Sequence, residues 1–268
     1  MSLDHASKQR LPVVVLCGGQ GTRLREETEY RPKPMVEIGG FPILWHIMKI
    51  YGHHGFRRFL LCLGYKGATI KEYFLRYREQ LRDVTVDLGS GETTFHDGAG
   101  REDWRVTCAE TGLETGTAGR LWRVRDSVDT DTFLFTYGDG VADVDLDALV
   151  DFHLAQGRVG TVTGVRPSSR FGEIEVADGR AVEFNEKPTL QEGVVSGGFF
   201  VFQRRIFDYL SGEPGEHLEL DPLRHLARDG ELAVYLHEGA WHSMDTYRDY
   251  LHLNDLWQRG EARWRLWE

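Results

Sequence analysis

Cysteine is scarce in this chain: 268 residues carry three, Cys17, Cys62 and Cys108. An odd count without metal-ligand spacing argues against a disulfide framework or a thiolate zinc site, and all three lie in apolar, strand-like runs where a free thiol behaves as a small hydrophobe. That usage fits a reducing cytosol, and a cytoplasmic protein is expected. Long hydrophobic runs are also missing: none approaches the ~20 residues of a membrane span, and the polar opening MSLDHASKQR shows no signal-peptide pattern. Those first ten residues are expected to fray. Basic charge is in the minority, with 32 Lys+Arg against 42 Asp+Glu, a net charge of −10. A nucleic-acid partner would call for a basic face. Two phosphate-binding signatures are absent as well. There is no Gly-Lys-Ser/Thr ending a Walker loop, and the dinucleotide fingerprint fails at its third glycine, where Leu24 stands.

The segment Leu11–Pro34, LPVVVLCGGQGTRLREETEYRPKP, is present and informative. Its unbroken run Val13-Val14-Val15-Leu16 has the length and β-branching of a buried strand. The run ends in Cys17-Gly18-Gly19-Gln20-Gly21-Thr22-Arg23, where glycines let several backbone N–H groups point at one spot. Arg23 adds a fork of donors suited to phosphate. Lys33 sits between Pro32 and Pro34, on a stiffened segment outside any helix. Together these residues read as a polyphosphate cradle.

Beyond it, apolar residues recur at helical spacing over Ile43–His54, Phe59–Leu63 reads as a second buried strand, and a helix is predicted over Ala68–Arg82. Strand and helix alternating at this spacing imply a parallel sheet with right-handed crossovers. Between Val84 and Thr111 the pattern breaks into strand-like Val84–Val86 and Arg105–Thr107 around the polar stretch Gly89–Asp103, read as a protruding β excursion. A second glycine turn, Thr115–Arg120, opens a helix through Val128, and strand Phe133–Tyr137 runs into Gly138-Asp139-Gly140. A carboxylate just past a parallel strand is where α/β sheets place ligand chemistry. There follow a helix Leu146–Gln156, a strand Gly160–Val165, a hairpin Gly172–Val176/Ala181–Asn185 about Asp178-Gly179, a strand Ser196–Phe202, a helix Asp221–Arg228 capped by Asp221, a strand Leu232–Leu236 and a last helix Tyr247–Gln258. The reading is one α/β domain over 1–268, with a mixed, mostly parallel Rossmann-like sheet flanked by helices. A first half (11–165) that holds the cradle precedes a β-rich second half (166–268).

The motifs GGxGTRL, RPKPMVEIGGFPILWHIM, GYKG, GDG, EKP and WxxMDT, in this order, resemble those of the sugar-1-phosphate nucleotidylyltransferases, and the likeness runs from about Pro12 to Glu268. It implies a Mg²⁺-dependent enzyme that takes a nucleoside triphosphate, CTP being favoured, and a sugar 1-phosphate, and that assembles as a homo-oligomer. The residues matching the nucleotide site are Leu16, Cys17, Gly18, Gly19, Gln20, Gly21, Thr22, Arg23, Lys33, Thr117, Arg120 and Gly138. Thr117 and Arg120 are expected to satisfy the base. Gly172, Glu186, Lys187, Ser196, Gly197, Gly198 and Trp241 match the sugar-phosphate site, and Asp139 and Asp245 the metal ligands. Arg23, Lys33 and Lys187 are expected to grip departing, transferred and attacking phosphates respectively. Because the attacking phosphate is already ionised at neutral pH, no general base is needed, and none of the eleven His stands out as one. Two departures concern the sugar: Ser196-Gly197-Gly198 replaces the usual Asn-Gly-Gly, and Pro167–Glu173 differs from Pro-Pro-Gly-Arg-Phe-Gly-Ala. A larger hexose or a heptose 1-phosphate, or dTTP, UTP or GTP, therefore stay open, as does a catalytically silent sugar-nucleotide sensor.

Overall fold

A computed structural model describes residues 3–96, 102–166, 173–177, 180–185 and 193–267. Its centre is a seven-stranded sheet of β1 (Pro12–Cys17), β2 (Arg58–Leu63), β3 (Arg105–Glu110), β4 (Thr132–Tyr137), β5 (Gly160–Val165), β6 (Val195–Gln203) and β7 (Leu232–His237), in the order β7-β5-β6-β4-β1-β2-β3. β1 pairs parallel with β2 and β4, β2 with β3, and β5 with β7. Only β6 runs against its neighbours β4 and β5. The sheet is therefore mixed and mostly parallel.

The apolar run of β1 is buried along its whole length because both faces of the sheet are covered. Successive strand residues point to opposite faces. Val13, Val15 and Cys17 join a core with the helices Ile43–His53 and Leu146–Gln156, while Val14 and Leu16 join a second core with Ala118, Leu121 and Leu226. Each buried Val or Leu contributes about 1.5–3 kcal/mol relative to exposure. Trp264, fully buried in the first core, ties down the C-terminal segment.

Helices Leu146–Gln156 and Tyr247–Gln258 occupy the spans read from periodicity. Three expectations change. The N-terminal stretch forms a helix, His5–Arg10, because Asp4 caps it through the Ser7 N–H (2.8 Å) and Lys8 pairs with Asp147 at 2.6 Å. The helix expected over Ala68–Arg82 stops at Leu75 and resumes as Tyr77–Gln80, with Tyr77 drawn onto Trp45, whose indole N–H donates to its hydroxyl at 2.8 Å. Asp221 lies inside the first turn of its helix, with Leu220 as the flanking residue and Pro222 fitting the turn by its fixed φ. The excursion is a hairpin, Val84–Val86 with Thr93–Phe95, after which β3 returns to the sheet edge. The hairpin expected around Asp178-Gly179 is there as Glu173–Ala177 with Arg180–Asn185.

Candidate active site

Over the C-terminal ends of β1 and β4 lies a cavity of about 310 Å³. The loop after β1 forms one wall. Gly18 has to be glycine, since an added Cβ would lie 2.1 Å from the Arg120 guanidinium. Gly21 takes φ +62°, a left-handed conformation that favours glycine. The Gly21 carbonyl is held by the Leu24 N–H (3.0 Å) and the Thr28 hydroxyl (3.0 Å). Among the described residues, no hydrogen bond is made by the backbone N–H of Gly19, Gln20, Gly21, Thr22 or Arg23. Gly19, Gly21, Thr22 and Arg23 line the cavity, and backbone N–H groups gathered in this way are able to hold an anion.

Lys33 opens a single 3₁₀ turn, Lys33–Met35, and its side chain reaches the opposite wall. Its ammonium donates to Asp139 Oδ2 at 2.6 Å and to Asp245 Oδ1 at 3.0 Å. Asp139 follows β4, whereas Asp245 lies 106 residues further along. An antiparallel ladder between two short strands, Gly140–Ala142 and Trp241–Ser243, closes that separation, and the Met244 N–H donates to the Asp139 carbonyl at 2.9 Å. The helix after Asp245 is capped by Thr246 in a capping box with Asp249, so the Asp245 carboxylate is not used as the cap and is held by Lys33 and Arg23 instead. Arg23, 73% exposed, pairs with Asp245 at 3.1 Å. Burial works against charge on Lys33 and Asp245. Their mutual attraction, with Asp139 the larger influence on the lysine, still raises the Lys33 pKa and lowers that of Asp245.

Leu16, Cys17, Gly18, Gly19, Gly21, Thr22, Arg23, Lys33, Thr117, Arg120, Gly138 and Asp139 all line the cavity. Gln20 turns aside toward Glu114, 3.5 Å away. Two base-reading candidates are otherwise engaged. The Arg120 guanidinium, 4% exposed, donates to the carbonyls of Leu63, Gly112, Gly18 and Leu113 and to the Thr111 hydroxyl, at 2.7–3.2 Å. It is a clamp on the strand ends. The Thr117 hydroxyl donates to Glu219 Oε2 (2.7 Å) and accepts from the Leu218 N–H (2.8 Å).

Ser196, Gly197 and Gly198 lead β6, and the Trp241 indole N–H donates to the Gly197 carbonyl at 2.8 Å. Gly198, at φ +80°, lies so close to the Tyr137 ring that a Cβ would approach it to 2.7 Å. Gly172, Glu186 and Lys187 lie outside the described residues. Sequence reasoning missed Tyr137, His217 and Glu219. Tyr137 and His217 line the cavity, and the Glu219 carboxylate accepts from both Tyr137 and Thr117. No motif marks the segment that carries the latter two, although the glycines at 116 and 119 are where its backbone approaches. The one group of three or more clustered His/Cys/Asp/Glu ligands among the described residues is His54, Asp145 and Asp147, none of which lines this cavity.

The family profile described as nucleotidyl transferase matches residues 12–259. The chain belongs to that family. It is 46% identical over 259 residues to the glucose-1-phosphate cytidylyltransferase of Salmonella typhimurium, covering 96% of this chain and all of that one. Among solved structures, HddC from Yersinia pseudotuberculosis superposes with a TM-score of 0.69 at 20% identity, covering 92% of this chain and 99% of that one. The inositol-1-phosphate CTP transferase of T. maritima gives 0.63 at 18%, covering 96% and 97%. At those identities the likeness is one of fold. Among the described residues, no helix is long and apolar enough to cross a membrane.

Proposed function

We propose that this protein transfers a cytidylyl group from CTP to a sugar 1-phosphate, glucose 1-phosphate first among them, releasing pyrophosphate. One observation carries the reading: two carboxylates converge on a single cation across a cavity from a loop of unclaimed N–H donors. The extent of identity to the Salmonella relative supports cytidine and glucose as the substrate pair.

In the reaction an oxygen of the sugar 1-phosphate attacks the α-phosphorus in line. The bond from that phosphorus to the β-phosphate oxygen breaks, and pyrophosphate keeps the electron pair. A phosphate monoester has its second pKa near ~6, so the nucleophile enters ionised. The chain's task is positioning and charge neutralisation. Arg23 and the loop N–H groups take the departing β,γ-phosphates, Lys33 the α-phosphate and Lys187 the attacking phosphate. Gly172, Glu186, the Ser196–Gly198 corner and Trp241 seat the sugar. Asp139 and Asp245 fit a Mg²⁺ ion, which takes hard oxygen ligands, because both already face one cation. When bound, the ion neutralises charge on the phosphoryl oxygens.

A cytosolic location is part of this reading, and the three free thiols fit a reducing compartment. It assembles with further copies of itself through the hairpin, whose Val84, Val86, Leu88 and Phe95 are exposed.

A pyrophosphate-release panel crossing four nucleoside triphosphates with hexose and heptose 1-phosphates tests the reading. CTP with glucose 1-phosphate is expected to turn over fastest, and Asp139→Asn to lower that turnover by about 10²–10³. Tight binding of a CDP-sugar without pyrophosphate release from any pair would replace the enzyme by a sensor.

A further inference from the structure

We propose that Lys33 is a built-in placeholder cation, filling the Asp139–Asp245 pair until a divalent ion arrives and being displaced by that ion onto the substrate's phosphate. The inference rests on the functional reading above and adds an order of events to it. Two carboxylates brought face to face by the Gly140–Ala142/Trp241–Ser243 ladder repel each other unless a positive charge lies between them. Lys33 supplies it, at 2.6 and 3.0 Å.

A magnesium ion on the same oxygens sits about 2.0–2.1 Å from each ligand, within the space the ammonium now holds. Both cations cannot occupy it, so one must leave. The lysine is built to be the one that moves. Its backbone is pinned between Pro32 and Pro34, whereas its four-carbon stem is free to swing. Lys33 lines the same cavity as the Gly18–Thr22 loop, so a displaced ammonium enters the region where the nucleotide phosphates would lie. Arg23, 3.1 Å from the same Asp245 oxygen that Lys33 contacts, leaves that carboxylate partly neutralised during the change. Metal and nucleotide are then bound as a unit, and the free enzyme resists stray divalent ions.

The test is Mn²⁺ binding to the full chain without nucleotide, read by electron paramagnetic resonance. Lys33→Gln is expected to bind Mn²⁺ tighter than the wild type by on the order of tenfold or more, and adding Asp139→Asn to that variant should abolish the gain. Unchanged or weaker Mn²⁺ affinity in Lys33→Gln overturns the proposal. Should that variant fail to fold, ¹⁵N-lysine NMR of the wild type decides. A slowly exchanging ammonium signal that shifts when Mg²⁺ and CTP are added supports the exchange, and one unmoved at saturation overturns it. The two readings fail separately. A blank pyrophosphate panel with the Mn²⁺ gain intact removes the enzyme and keeps the exchange, and a working panel without the gain does the reverse.

Discussion

Two glycine turns in this chain look alike on paper. Cys17–Arg23 and Thr115–Arg120 each follow a strand, combine glycine with threonine, and end in arginine. In the folded protein they are opposites. The first leaves its N–H groups unclaimed and its arginine 73% exposed beside the paired aspartates. In the second, the N–H groups of Gly116, Ala118 and Gly119 donate to the carbonyls of Pro214 and Glu216, and the arginine is buried among carbonyls. What separates the two turns, both of which line the cavity, is whether the rest of the chain supplies acceptors for their N–H groups. That is a property of tertiary packing, and composition does not reveal it.

Exchanging the fates of the two arginines is the sharpest way to break the contrast. Arg120→Ala strands several buried carbonyls, at about 1–3 kcal/mol for each group left unsatisfied. The melting temperature is expected to drop by about 10 °C, read by calorimetry. Arg23→Ala should leave the melting temperature within a degree or two, since exposed pairs contribute ~0–1 kcal/mol, while kcat/KM for CTP falls by about 10–100-fold. If both variants lose stability equally, the first turn is as structural as the second.

A smaller effect is expected at Glu219, which ties the second turn to Tyr137. Glu219→Gln keeps one hydrogen bond and loses the charge, so turnover should fall by about threefold to tenfold with little change in melting temperature. A loss as large as that of Arg23→Ala would move Glu219 into contact with substrate.

Committed and uncommitted donors also differ in their response to acid. Burial lowers the pKa of His46 to about 4, outweighing the hydrogen bond from its Nε2 to the Ile38 carbonyl (2.8 Å), which favours the protonated ring; its Nδ1 accepts from the Trp264 indole N–H at 3.4 Å. His153 is likewise lowered to about 4 by burial. Their unfolded values lie near ~6.5, so as pH falls the unfolded chain binds protons that the folded one refuses. Stability is full above ~6.5 and declines toward about 4, by on the order of 1–2 kcal/mol per histidine between pH 6.5 and 5. Asp245, with its lowered pKa, gives up stability only below the ordinary carboxylate range. Thermal melts of wild type and His46→Gln at pH 7 and pH 5 should show a shallower fall in the variant.

Local signals were enough for most strands and for the helices with a single apolar face, because burial on one or both sides leaves a period in the sequence. They failed where a partner far along the chain decides the outcome. Tyr77 leaves its helix axis for Trp45, Asp4 caps a helix that composition called polar, and Arg120 finds acceptors on three separate segments. The aspartate pair was legible as two residues of the right type in a family order. Its closeness is expected from each residue's place after a strand, but the antiparallel ladder that joins the two segments is too short to leave an alternating pattern.

That ladder has a consequence for synthesis. The acidic group beyond β4 and its counterpart at 245 lie on opposite sides of most of the second half of the chain, so a ribosome will have finished the sheet's first strands long before the second carboxylate emerges. A nascent or shortened polypeptide that ends before Trp241 would own the phosphate loop but only half of the cation clamp. Competence for chemistry would therefore wait until the strand Trp241–Ser243 and the helix after it have been made and have paired back onto the segment beyond β4.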